Sequence, residues 1–282
     1  MREIPIRELE IDPEFVAEYL SKRLRQYVLD YAGRTGGVIG LSGGLDSTVT
    51  SYITVRALGP ERVRCLILPT SVTPKEDLRD ALKVVEELSI PEANYRVIDI
   101  DPIVEELSSS LTVTDKVVKG NITARVRMIM LHALAANTDS LVIGTSDKSE
   151  LTIGYFTKYG DAGVDVMPIA DLYKTQVKQL GRHLGIPQEV LDKPPSPRLW
   201  RDHLAAEEIG MSYELLDSIL YLRFDEWLSP QTVAEELGVS PSLVLRVERM
   251  VRSSQHKRMM PEVFRVGRRS HGSDWRYPRQ WY

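Results

Sequence analysis

Four short apolar runs punctuate the first half of the chain: GGVIGLS (36–42), RVRCLILP (62–69), NYRVIDI (94–100) and SLVIGTS (140–146). Between them lie helix-length segments, LDSTVTSYITVRALG (45–59), PKEDLRDALKVVEELS (74–89) and GNITARVRMIMLHALAANT (120–138). Strands that are continuously apolar are covered on both faces, and strands separated by helices run parallel. The pattern predicts an α/β fold, a doubly wound and mostly parallel sheet. A helix over 13–32 precedes it, with Phe15, Val16, Tyr19, Leu20, Leu24, Tyr27, Val28 and Tyr31 at helical spacing behind Pro13.

The second half follows a different pattern. DLYKTQVKQLGRHLG (171–185) reads as one more helix, after which Pro187, Pro194, Pro195 and Pro197 prevent a continuous helix. This stretch is either a mobile lid or a linker. From 212 onward SYELLDSILYLRF, SPQTVAEELG and SPSLVLRVERMVRSSQHKR read as three helices. The expected organisation is an α/β domain with its N-terminal helix over 1–195, a lid or linker over 196–211, a helical region of the same unit over 212–260 and an irregular tail over 261–282.

Composition narrows the function classes. With 43% hydrophobic and 27% charged residues the chain reads as a soluble globular protein, and no apolar run approaches the roughly 20 residues that span a bilayer. The start lacks the continuous apolar core of a secretory signal, so the expected location is the cytoplasm. The single cysteine, Cys65, lies in an apolar run and reads as a small buried hydrophobe, which leaves neither a disulfide framework nor a cysteine-based zinc site. A formal net charge of −4 argues against a general polyanion binder.

The chemistry is concentrated at IGLSGGLDST (39–48), where a strand turns into a helix. Adjacent glycines let backbone approach a ligand closely, and the following helix aims unpaired N–H groups at it; Ser42 and Ser47 add hydroxyls. The stretch lacks the lysine of the P-loop NTPase pattern and the G-x-G-x-x-G of dinucleotide oxidoreductases. Asp46 remains at the cradle. An acid beside bound phosphates calls for a divalent cation such as magnesium between them, unless Asp46 merely caps the helix.

SGGLDST resembles the pyrophosphate-binding loop of the N-type ATP pyrophosphatases, which cleave ATP to AMP and pyrophosphate while adenylating a substrate. Three further stretches, GNITARVRM (120–128), GTSDKSELTIGYFTKYGDAGVDVMPIADLYKTQV (144–177) and SSQHKR (253–258), make most of 13–260 resemble the ammonia-dependent NAD synthetases. That resemblance implies a two-step amidation of deamido-NAD. The nicotinate carboxylate attacks the α-phosphate of ATP, then ammonia displaces AMP and leaves the amide of NAD.

The resemblance also carries roles onto matching positions. Gly40, Leu41, Ser42, Gly43, Gly44, Leu45, Asp46 and Ser47 are expected on the ATP phosphates, Asp46 and Glu150 on magnesium, Thr145 on the adenylate and Lys174 on the phosphates. Arg125, Lys158, Asp165, His256 and Lys257 are expected on deamido-NAD. Asp161 is a candidate to attract ammonium and accept its proton. In the proline-rich segment the resemblance weakens: KPPSPRLWRDHLAAEEIG (193–210) has Ser196 where the family commonly has threonine, still with a hydroxyl for ATP. Asp202, Glu207 and Glu208 supply fewer acids than the family's stretch, and Pro197 stiffens it.

The family relatives that use glutamine carry a nitrilase-type domain ahead of this unit. Twelve residues precede Pro13, so free ammonia, or ammonia from a separate protein, is the expected nitrogen source. The resemblance also implies a homodimer whose interface helps form the deamido-NAD site. Two alternatives stay open: another ATP pyrophosphatase acting on a different nucleotide, and a DNA-binding regulator, since SPQTVAEELGVSPSLVLRVERMV (229–251) also reads as a helix-turn-helix. Its second helix offers only Arg246 and Arg249, with Glu248 between them, so no nucleic acid partner is expected.

Overall fold

The computed structural model describes residues 3–200 and 203–270. Asp202 and the end of the expected tail, 271–282, lie outside the described residues.

The four apolar runs form one parallel sheet, with β1 (Gly36–Gly40), β2 (Val63–Ile67), β3 (Tyr95–Val97) and β4 (Ser140–Ile143) in the order β3-β2-β1-β4. Val38, Ile39, Val63, Cys65, Val142 and Ile143 are at most 1% exposed, which is why these strands are continuously apolar. Each aliphatic buried so completely contributes about 1.5–3 kcal/mol. The chain winds from β1 outward to β3 and then returns to place β4 on the other side of β1. Connections leaving β1 and β4 therefore diverge and open a crevice at the carboxyl ends of these strands, the usual ligand position in such a sheet.

Helices cover both faces. On one side α1 (Pro13–Arg25), α2 (Leu45–Leu58), α3 (Lys75–Glu87) and residues of the later helix at 174–183 share a core through Leu24, Ile53, Val84 and Leu180. On the other, α4 (Asp101–Ser110) and α5 (Lys116–Asn137) supply Val104, Val126 and Ala135. The helix expected over 13–32 is α-helical only to Arg25; Gln26–Tyr31 continues it with wider turns. Helix α4 was not anticipated in the sequence. Helix α5 starts four residues before Gly120, because the Asp115 carboxylate accepts the amides of Val117 and Val118 and caps it there.

Beyond β4 come α6 (Lys148–Ile153), α7 (Lys174–His183), α8 (Gln188–Leu191) and α9 (Ala205–Ile209). The proline-bearing stretch between α8 and α9 is irregular where described. Next come α10 (Tyr213–Leu220), extended by wider turns over Tyr221–Asp225, then α11 (Pro230–Leu237), α12 (Pro241–Ser253) and the short α13 (Gln255–Arg258). These helices bury Leu216, Ile219, Val233, Val244 and Val247 together with Ile6, Leu9, Ile153 and Tyr173, so the N-terminal segment, α6 and the start of α7 belong to their core. Among the described residues no helix is long and apolar enough to cross a membrane.

Candidate active site

The glycine turn lies at the carboxyl end of β1, in the crevice the topology opens. Gly43 has φ +76°, and a Cβ there would stand 2.2 Å from the carbonyl oxygen of Asp77, so the first turn of α3 packs directly against the turn. Ser42 and Ser47 brace it: their hydroxyls lie 3.0 Å apart, Ser47 Oγ accepts from the Ser42 amide at 3.2 Å and donates to the Gly44 carbonyl at 3.1 Å. Gly44 stands at the N-cap position of α2, and no side chain caps that helix. The reading of Asp46 as a helix cap is therefore not met. Uncapped amides at the start of α2 face the crevice, where an anion is favoured by both hydrogen bonding and the helix dipole.

Asp46 belongs instead to a charged centre at the head of α2, α6 and α7. Lys174, 4% exposed, places its ammonium 2.7 Å from Asp46 Oδ2, 2.7 Å from Asp147 Oδ2 and 2.9 Å from Glu150 Oε1. Burial pulls its pKa down, but the three carboxylates outweigh that and hold it well above the ordinary lysine value. Burial also raises the carboxyls of Glu150 and Asp147, against the pull of Lys174. Local structure fixes each group. The Asp147 carboxylate caps α6 by accepting the Glu150 amide at 2.8 Å, and the Lys174 amide donates to Ser149 Oγ at 2.9 Å. Ser149 donates in turn to Asp217, which also takes the Thr175 amide at 2.9 Å, so α10 clamps the start of α7. Burial pushes the Asp217 carboxyl up to about 6.

One ammonium against three carboxylates leaves the centre short of positive charge. Oxygens of Asp46, Asp147 and Glu150 lie within 4.8 Å of one another, and Asp46 Oδ1 is buried with no hydrogen-bond partner. Hard, closely spaced carboxylate oxygens are the donor set magnesium prefers, and the residues present fit that ion. Asp147 carried no role in the sequence reading; its place one residue before KSEL, at a helix cap, was the available signal.

A cavity of about 410 Å³ joins this centre to the ends of β1, β2 and β4. Of the residues anticipated from sequence, Gly40, Leu41, Ser42, Gly44, Leu45, Asp46, Ser47, Thr145, Glu150, Asp161, Lys174, Ser196 and Lys257 line it. Asp161 is exposed as a residue while its carboxylate turns inward and accepts the Thr157 amide at 2.9 Å; desolvation raises its pKa despite that bond and nearby Lys257 and Arg127. Lys257 donates to the carbonyls of Gly154 and Phe156 at 2.7 and 2.8 Å. Ser196 donates to the His203 carbonyl within its own segment.

Five anticipated residues lie outside the lining: Gly43, which packs against α3 instead, Arg125, Lys158, Asp165 and His256. Arg125 is exposed and reaches the Lys158 carbonyl at 3.3 Å, while Asp165 holds the Val142 amide at 2.8 Å beside β4. Sequence reasoning missed Arg127, His203 and Lys193, which do line the cavity. Arg127 lies on α5, where a basic side chain carries no mark of which way it faces, and Lys193 and His203 lie in the irregular stretch between α8 and α9, where no periodicity points inward.

Residues 16–261 match the NAD synthase family. The chain belongs to this family. An NH(3)-dependent NAD(+) synthetase of Sulfolobus acidocaldarius is 50% identical over 100% of both chains. Among solved structures, NMN synthetase from Francisella tularensis superposes with TM-score 0.78 at 34% identity, over 90% of this chain and 99% of that one. The NH3-dependent NAD synthetase from Campylobacter jejuni gives 0.76 at 29% identity, over 91% and 100%. Family membership accounts for the cavity at the end of β1 and disfavours the DNA-binding alternative. On α12, Arg246 turns inward onto the Ile209 carbonyl and Glu248 pairs with Arg223 at 3.1 Å.

Proposed function

We propose that this chain makes NAD from deamido-NAD, ATP and ammonia, a ligase reaction that forms a C–N bond through an adenylated carboxylate. The observation that carries this reading is the joining, within one cavity of a NAD synthase family member, of an uncapped glycine turn to the Asp46–Glu150–Lys174 centre. Gly40 through Ser47 hold the ATP phosphates, with the uncapped amides at the start of α2 as donors. Thr145 and Ser196 contact the nucleotide. Asp46 and Glu150, with Asp147 beside them, hold magnesium, which when bound offsets charge on the phosphates. Lys174, fixed at the cavity wall, offsets the charge that grows on departing pyrophosphate.

Asp161 takes a proton from ammonium, which frees the lone pair of ammonia to attack the adenylated carboxyl carbon and expel AMP. Its carboxyl is raised, so lowering the pH protonates it sooner than an ordinary aspartate and removes the base. Asp161→Asn should therefore lower kcat by about 10²-fold and flatten the acidic limb of the pH profile measured at constant free ammonia. Full activity with an unchanged profile would remove Asp161 from the mechanism.

Arg125, Lys158, Asp165 and His256, with Lys257, bind deamido-NAD where a second copy of the chain completes the site. In support, Arg125 shares one face of α5 with Val118 and Ile129, which are 46% and 58% exposed, and Leu111 before that helix is 69% exposed. The cytoplasm suits Cys65, fully buried with its thiol pushed up to about 12. The division into 1–195, 196–211, 212–260 and 261–282 is proposed as a functional one, in which the middle segment covers ATP.

Exchange of labelled pyrophosphate into ATP tests the adenylated intermediate. Exchange should require deamido-NAD and magnesium but not ammonium. Exchange independent of deamido-NAD would refute the reading.

A further inference from the structure

The proline-rich segment meets the glycine turn through a second charged cluster, separate from the Lys174 centre. Lys193 Nζ donates to the Gly43 carbonyl at 2.8 Å, to Asp77 Oδ1 at 2.9 Å and to Asp80 Oδ2 at 2.6 Å. Arg198 donates from Nε to the other oxygen of Asp77 at 2.9 Å. Both aspartates sit on α3 and are 5% exposed. Burying two carboxylates is costly unless each is paired, and here two bases from the segment meet the two acids on α3, with the exposed Arg79 3.6 Å from Asp80 besides. That set rests on the backbone of Gly43, whose φ of +76° and absent side chain let α3 approach.

We infer that Lys193 is a positioning residue for the pyrophosphate-gripping turn, an inference that rests on the reaction proposed above. Its ammonium, at the cavity wall, fixes the Gly43 carbonyl, which orients the Gly44 and Leu45 peptide groups that follow. It also cancels carboxylate charge that would otherwise repel polyphosphate a few residues away. Through Pro194 and Pro195 the same residue sets where the segment carrying Ser196 and Arg198 enters the cavity. The turn and the segment are thereby coupled, and a ligand that fits the turn finds the segment already aligned.

Three variants test this. Lys193→Met removes donor and charge, and should raise KM for ATP and the Kd for inorganic pyrophosphate by about tenfold or more, the effect of losing one charge-assisted contact, while KM for ammonium is unchanged. Lys193→Arg keeps the charge and should restore most of the affinity. Should Lys193→Met fail to fold, the double variant Lys193→Met with Asp80→Asn leaves Asp77 paired with Arg198 and no buried charge alone. It should fold and still bind pyrophosphate more weakly than wild type, because the Gly43 carbonyl is no longer held. Wild-type pyrophosphate affinity in a folded Lys193→Met protein, or in the double variant, would overturn the inference. Pyrophosphate binding by calorimetry needs no turnover. If wild type bound pyrophosphate but made no NAD, the reaction assignment would fail while the role of Lys193 stood on the binding comparison.

Discussion

Lys174→Met should lower kcat for NAD formation by about 10²–10³-fold, the usual effect of removing a group aimed at developing charge, and should destabilise the fold as well. The ammonium is the one cation within 3 Å of Asp46, Asp147 and Glu150 among the described residues, and it is buried. Methionine fills the volume but leaves three carboxylates facing one another. Removing one partner of a buried pair costs about 3–5 kcal/mol. The pH dependence has a definite sign: the Asp147 and Glu150 carboxyls are raised by burial in the fold, and without Lys174 they rise further. A carboxyl raised in the folded state favours folding at low pH and loses that contribution as pH rises. The variant's deficit in Tm should therefore be larger at pH 8 than at pH 5.5, and magnesium should narrow it. Unchanged kcat, or a deficit that grows toward low pH, would contradict this account of the centre.

Asp46→Asn should separate activity from stability. Asp46 caps no helix, its Oδ1 has no hydrogen-bond partner, and its charge adds to the repulsion felt by Asp147 and Glu150. Neutralising it relieves like-charge repulsion, so Tm should hold or rise. Activity should fall by about 10²-fold with a higher magnesium concentration for half-maximal rate, since one hard oxygen ligand of the ion is lost. Titration of kcat against magnesium, beside a thermal melt, reads both. A fall in Tm with an unchanged magnesium requirement would make Asp46 a structural acid.

Much of this was legible in the residues themselves. The apolar runs at 36–42, 62–69, 94–100 and 140–146 became the four parallel strands, because burial on both faces leaves no polar alternation to confuse the reading. The glycine turn was equally plain, since Gly43 and Gly44 between Ile39 and the helix starting at Leu45 permit little else. Helix α4 escaped because DPIVEELSSS is short and ends in three serines, weak helix formers whose place is decided by packing of Val104. At the site, polar residues inside recognisable stretches were found. Asp77, Asp80 and Lys193 were not, because this buried ion cluster is assembled from residues more than a hundred positions apart.

The most direct test of the account is a single reaction of the purified protein with ATP, magnesium, ammonium and deamido-NAD, with NAD, AMP and pyrophosphate quantified together. The three products should appear in equal amounts, dependent on ammonium, and nicotinate mononucleotide in place of deamido-NAD should be amidated far more slowly. Release of ADP and phosphate, or faster amidation of the mononucleotide than of deamido-NAD, would contradict it.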